Sequence, residues 1–333
     1  MNCSMKQASY WVALLLVGAT LTCSQSYAQS KANNWPDRPI RMVVPFSAGG
    51  PIDIIARRVG QKLSEALKTP VIIDYKTGAN GLIGADFVAK STPDGYTMLI
   101  MTGSFAANAA LYKKLPYDPI KDFAPIGQIY QSYGMVLVVN SDFPANSLKE
   151  LVTYSQVHPN KLSYGSAGYG NASHLVGELL NAQTGISILH VPYKGLGPAF
   201  NEVLAKQVDM TFVSTTLAAN GIKENLVKGL AISGGARSPA IPNVPTFTEA
   251  GVKGIDQVYG WSGIFYPAGT PKEIINKTQQ ALAKLVAQPD IKKQFEDLGI
   301  MPVGSTSAEF TKFVAQDIEL QTRLFKIANI AQQ

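Results

Sequence analysis

Ile40-Arg41-Met42-Val43-Val44-Pro45-Phe46-Ser47-Ala48-Gly49-Gly50-Pro51 is the stretch that decides the fold class. An apolar run of strand length passes into a loop of small residues, and Ile52, Ile55, Val59, Leu63 and Leu67 then recur at helical spacing. The order is strand, glycine loop, helix. Such a loop leaves backbone N–H groups unpaired at the positive end of a helix dipole, where a carboxylate, sulfate or phosphate can be held without a charged side chain.

The same alternation continues outward from this stretch. Residues 71–74 and 97–102 read as strands, the second ending in Gly103-Ser104, with helix over 85–90 between them. A second series follows: strands at 135–139, 162–166, 186–191 and 208–213, and a helix carrying Leu175, Val176, Leu179 and Leu180. Ser147 with Glu150, Thr270-Pro271-Lys272-Glu273, and Thr306 with Glu309 read as capping boxes that open helices. Alternating strands and helices predict parallel sheets covered on both faces. Ser-Ala-Gly recurs at 47–49 and 166–168, each time after a strand and before a helix. Two facing lobes with matched loops would produce that repeat.

The 333 residues, 46 % hydrophobic and 16 % charged, are enough for about two globular domains. Residues 1–28 read as a signal peptide: Lys6, an apolar run of 11 residues from Trp11 to Leu21, and Ser26-Tyr27-Ala28 before a mature start at Gln29. A membrane-spanning helix needs roughly 20 residues, so this run is too short for an anchor. Thr20-Leu21-Thr22-Cys23 is a poor lipoprotein signal. Both cysteines, Cys3 and Cys23, fall in the leader, which leaves the mature chain without thiol or disulfide. Losing Lys6 from a formal net charge of +6 leaves +5, and the basic residues are scattered without a run or an aromatic-interleaved stripe. Nucleic acid is therefore not an expected partner.

Gly168-Tyr169-Gly170-Asn171-Ala172-Ser173 has Ser at the third glycine of a dinucleotide fingerprint, and residues 186–196 supply no acid for a ribose. Tyr164-Gly165-Ser166-Ala167-Gly168 has Tyr where a hydrolase nucleophile elbow needs its first Gly. No two of the three histidines, His158, His174 and His190, share helical ligand spacing, so no metal and no cofactor is expected. His190 reads as a core histidine, and His174, one turn into its helix, reads equally as packing or as a ligand contact. Trp261, with Tyr259 and Phe265, lies where the chain returns towards its first half, near the cleft between lobes.

Several stretches together resemble one family: Trp35-Pro36-Asp37-Arg38-Pro39-Ile40, Val43 to Gly50 with Asp53, Pro93-Asp94-Gly95-Tyr96-Thr97, Leu111 to Pro119 with Lys121 to Ile126, Gly165-Ser166-Ala167-Gly168, His190 to Gly195, and Pro267-Ala268-Gly269-Thr270-Pro271. The chain is similar over its mature length to the substrate-binding proteins of tripartite tricarboxylate transporters, the TctC or Bug type. The resemblance implies an α/β, two-lobed periplasmic-binding-protein type II (flytrap) fold. It implies lobe 1 from residues 29–132 plus 256–333 and lobe 2 from 133–255, with a ligand cleft between them. It implies a monomeric, non-enzymatic periplasmic protein that hands a small carboxylate to membrane subunits of such a transporter. The rival role is a ligand sensor for a membrane kinase. In the family, loop backbone and hydroxyl groups hold the ligand rather than an Arg clamp. The matching positions here are Ser47, Ala48 and Gly49 with Asp53, then Thr102 and Ser104, then Ser166, Ala167 and Gly168, with Asn171, Ser173 and His174 at the following helix start. Tyr193 and Ser214 complete the expected site. Many relatives carry Asp where Val213-Ser214 stand, so an ammonium-bearing ligand would lack its partner here. Tyr169, with Phe46 and Trp261, could flank a flat ring, which points to an aromatic mono- or dicarboxylate.

Overall fold

The computed structural model describes residues 35–333; the expected signal peptide and cleavage site, and both cysteines, lie outside the described residues. Two sheets carry the architecture. The first has six strands in the order β11-β4-β10-β3-β1-β2: β1 is Ile40–Val44, β2 Val71–Tyr75, β3 Thr97–Thr102, β4 Phe123–Ser132, β10 Trp261–Pro267 and β11 Ile300–Pro302. The second has five in the order β7-β6-β8-β5-β9: β5 is Met135–Asn140, β6 Ser163–Ser166, β7 Leu189–Pro192, β8 Met210–Ser214 and β9 Val227–Ile232.

Side-chain alternation along the strands builds a core on each face of the first sheet. Met42, Val44, Ile100, Ile264 and Tyr266 join one cluster with the helices Pro51–Leu67 (α1), Lys272–Val286 (α8) and Pro289–Asp297 (α9). Val43, Leu99, Met101 and Phe265 point the other way, onto the helices Leu82–Ala89 (α2), Ser104–Leu111 (α3) and Ser307–Ile327 (α10). The second sheet is covered likewise. Leu148–Val157 (α4) and Ala172–Thr184 (α5) lie on one face, and Leu196–Leu204 (α6) and Thr215–Lys223 (α7) on the other.

The expectation of parallel sheets needs correction. β1 pairs parallel with β2 and β3, and β6 parallel with β7 and β8, but β10 runs antiparallel to both β3 and β4, and β5 antiparallel to β8 and β9. The reason is the shared crossing point. β4 leaves the first sheet where β10 re-enters it, and β5 enters the second sheet where β9 leaves, so each pair must run in opposite senses. The two crossing segments are strapped together. Ser132 N–H donates to Gly260 O (2.7 Å), Gly260 N–H to Ser132 Oγ (2.8 Å), and Met135 N–H to Ser233 Oγ (2.8 Å).

Helix caps follow the sequence in part. Thr306 and Glu309 form the full reciprocal box. Ser147 accepts from Glu150 N–H, but the Glu150 carboxylate takes the N–H of Asn146. Thr270 does not cap: its hydroxyl donates to Pro267 O (2.8 Å), closing the turn after β10, and Pro271 becomes the N-cap of α8.

Candidate ligand-binding site

The lobes meet along α3, α5 and α10. Ala107, Ala110 and Leu111 of α3, with Leu324 and Phe325 of α10, share one apolar cluster with Leu175, Val176 and Leu179 of α5. Gly170, just before α5, is pressed against this seam. Its φ is +72°, and a Cβ there would lie 2.4 Å from Leu111 Cδ2, so a side chain would hold the lobes apart. The C-terminus ties the same region, with Gln333 N–H donating to Leu111 O (2.8 Å).

Within this seam lies a cavity of about 170 Å3. Thr102, Gly103 and Ser104 bring the end of β3 and the start of α3 to it, and Gly170, Asn171 and Ala172 bring the start of α5. First-turn N–H groups have no intrahelical acceptor, so two helix N-termini, one from each lobe, offer donors and positive dipole ends to one space. Thr102 Oγ1 and Ser104 Oγ, 3.0 Å apart, add hydroxyls. Phe46, Leu175, Tyr259, Trp261 and Phe325 supply apolar surface, and Asn80 and Gln321 amides. No Lys, Arg, Asp or Glu is among the described residues that line it. The wall can therefore desolvate an anion against neutral donors.

Phe46, Thr102, Ser104, Asn171 and Trp261 of the expected site line this cavity, and so does Tyr259, which the sequence places beside Trp261. The other expected site residues are not among its lining. Ser47, Ala48 and Gly49 are exposed, and the loop is held from behind by Asp53, which is buried. Asp53 Oδ2 accepts from Gly49 N–H (2.8 Å) and Arg57 Nε (3.1 Å), and its Oδ1 from the Tyr75 hydroxyl (2.6 Å). Burial pushes the Asp53 pKa up, but the Gly49, Tyr75 and Arg57 donors outweigh it and hold the group below its usual 3.8. Those bonds stabilise the fold above the unfolded pKa and fade as pH falls through the lower folded value. Asp53→Ala should cost about 1–3 kcal/mol at neutral pH. Denaturation curves of variant and wild type should converge as pH falls below 3.8; a pH-independent gap would contradict this role for the carboxylate.

The second loop is satisfied internally. Ser166 is fully buried, its Oγ 2.6 Å from His190 Nε2 and accepting from Gly168 N–H (3.1 Å). Ala167 N–H donates to Ser173 Oγ (2.9 Å), and Gly170 N–H to His174 Nδ1 (3.1 Å). Asn171 caps α5 by accepting from Ser173 N–H (3.1 Å). His174 and His190, distant in sequence, stack with ring centroids 4.1 Å apart. Burial and then the neighbouring His190 push the His174 pKa down to about 4, and burial lowers that of His190. Both rings are neutral at neutral pH and act as packing and hydrogen-bonding groups. Tyr169 is 43 % exposed, turned onto His174 with its hydroxyl on Ala331 O (3.3 Å). Tyr193 packs beside Gly165, and Ser214 caps α7. Tyr169 is thus not among the residues that line the cavity with Phe46 and Trp261.

Trp261 is 1 % exposed; its indole N–H donates to Asp317 Oδ2 (2.7 Å), and its carbonyl accepts from Gly103 N–H (3.1 Å). It thereby fixes the start of α3. Asn80 and Gln321 were not singled out in the sequence. Asn80-Gly81 is a turn signal, and Asn80 does adopt a left-handed conformation (φ 52°). Asp317 and Gln321 are polar residues on the buried stripe of α10 set by Phe310, Val314 and Leu324, a departure from helical patterning that marks them.

The profile of the tripartite tricarboxylate transporter family receptor, TctC, matches residues 55–330. The chain belongs to the TctC family. Among curated relatives, this TctC receptor is 36 % identical over 289 residues to the UPF0065 protein in the tcbD-tcbE intergenic region of Pseudomonas sp. strain P51, covering 86 % of this chain and 85 % of that one. Among solved structures, Rpa4515 of R. palustris with adipate superposes with a TM-score of 0.81 at 31 % identity, covering 90 % of this chain and all of that one. MatC from Rhodopseudomonas palustris with bound malate gives a TM-score of 0.76 at 33 % identity, covering 87 % and 99 %. The TctC receptor thus has the two-lobed α/β fold of periplasmic binding proteins.

Proposed function

We propose that this TctC receptor captures a small carboxylate in the cavity between its lobes and delivers it to the membrane subunits of a tripartite tricarboxylate-type transporter. The observation that carries the reading is the convergence of two helix N-termini and the Thr102 and Ser104 hydroxyls on a wall without charged side chains. Neutral donors suit capture followed by release. An ion pair in the same space would add strong attraction and a large desolvation cost. Micromolar affinity corresponds to about −8 kcal/mol, within reach of a few such hydrogen bonds and apolar contacts. That related proteins are described with adipate and with malate supports a dicarboxylate. An aromatic acid is the finer alternative; Phe46 and Trp261 favour it, whereas Tyr169 lies elsewhere.

In this reading the leader, residues 1–28, exports the chain to the periplasm. Lobe 1 (29–132 plus 256–333) and lobe 2 (133–255) close about the paired crossings, and the protein acts as a monomer. No chemical step is involved. A thermal-shift screen of citrate, C4 to C6 dicarboxylates, benzoate, phthalate isomers and nicotinate should show stabilisation by one group of acids, with binding confirmed by calorimetry. Stabilisation only by sugars or free amino acids would overturn the reading. Loss of uptake of the bound acid in a deletion strain would tie the receptor to transport.

A further inference from the structure

Asp317 and Gln321 stand one helical turn apart on α10, each 7 % exposed, where an amphipathic helix would place apolar residues. Asp317 makes no ion pair among the described residues. Its Oδ2 accepts from the Trp261 indole (2.7 Å) and its Oδ1 from Gln321 Nε2 (3.2 Å). Burial pushes its pKa up, opposed by those two donors. A carboxylate accepts and does not donate, so it selects the orientation of the Gln321 amide: nitrogen towards Asp317, oxygen away from it. Gln321 lines the cavity, and no protein donor reaches its Oε1 among the described residues. An acceptor there lowers affinity unless the ligand brings a donor.

We infer that Gln321, oriented by Asp317, reads a hydroxyl on the ligand, so that the preferred solute is a hydroxy-carboxylate. This rests on the carboxylate reading of the same cavity and sharpens it. Helix N-termini and hydroxyls take the anionic end, and Gln321 Oε1 accepts from the hydroxyl. A hydroxyl is the fitting donor because the lining holds no carboxylate to pair with an ammonium, and both Asp317 oxygens already accept.

The test measures Kd by calorimetry for acids differing by one group: malate against succinate, 2-hydroxyadipate against adipate, and aspartate as the ammonium arm. Wild type should bind the hydroxy acid about tenfold more tightly than its deoxy partner. Gln321→Leu should collapse that ratio to near one. Asp317→Asn should do the same, because the Asn amide can donate to Gln321 Oε1 and turn Nε2 to the cavity. Gln321→Leu carries the test alone if Asp317→Asn fails to fold. Equal affinity within each pair, or a ratio that survives Gln321→Leu, overturns the inference and leaves the proposed function standing. Aspartate binding more tightly than malate overturns the hydroxyl assignment. Wild type binding no acid of either pair, nor any acid of the thermal-shift screen, removes both.

Discussion

Gly134→Ala should destabilise the receptor by more than about 3 kcal/mol, among the largest effects a single methyl group can have. Gly134 sits between β4 and β5 with φ +133°, and a Cβ built there would lie 1.2 Å from the Ser233 carbonyl oxygen. That oxygen belongs to the returning crossing, whose Ser233 also holds Met135 N–H, so neither strand can retreat without breaking the strap between lobes. The left-handed φ adds strain of its own. Gly235→Ala, with no atom within 4 Å of its Cβ, is the control and should cost less than about 1 kcal/mol. Urea denaturation midpoints compare the two. Equal midpoints would mean that the crossings are not pinned at this point.

Thr102→Val with Ser104→Ala should weaken carboxylate binding by at least about a hundredfold, since two hydroxyl bonds to a charged group are each worth about 1.5–3 kcal/mol. Both hydroxyls line the cavity, and neither substitution enlarges its residue. Ser166→Ala is the informative comparison. Ser166 is fully buried on His190 and Gly168, so its loss should lower stability and change Kd less than threefold. Calorimetry with the tightest acid of the screen decides between them. A larger loss of affinity from Ser166→Ala than from the double variant would move the ligand towards the second Ser-Ala-Gly loop.

The strand-loop-helix units at 40–67 and 162–184 were legible because short strand-length runs and a 3.6-residue helical pattern meet at small-residue turns. Thr102, Ser104 and Asn171 were reachable as strand-end and helix-start donors. Ser166 and Thr102 look alike in sequence, each ending a strand before a helix. Only packing distinguishes them, since His190 from the neighbouring edge strand occupies the Ser166 hydroxyl, while Thr102 and Ser104 open onto the seam. Gln321 and Phe325 lie over 200 residues from Thr102 and reach the cavity because α10 lies across both lobes. No local pattern encodes that reach.

The α/β class, the two series of units and the small-residue turns are set locally along the chain, because backbone sterics and side-chain periodicity act over a few residues. The antiparallel strands at the crossings, the choice of turn that faces the cavity and the acceptor on α10 arise only when distant segments pack together. Those depend on which segments, remote along the chain, compete for the same hydrogen bonds and the same space.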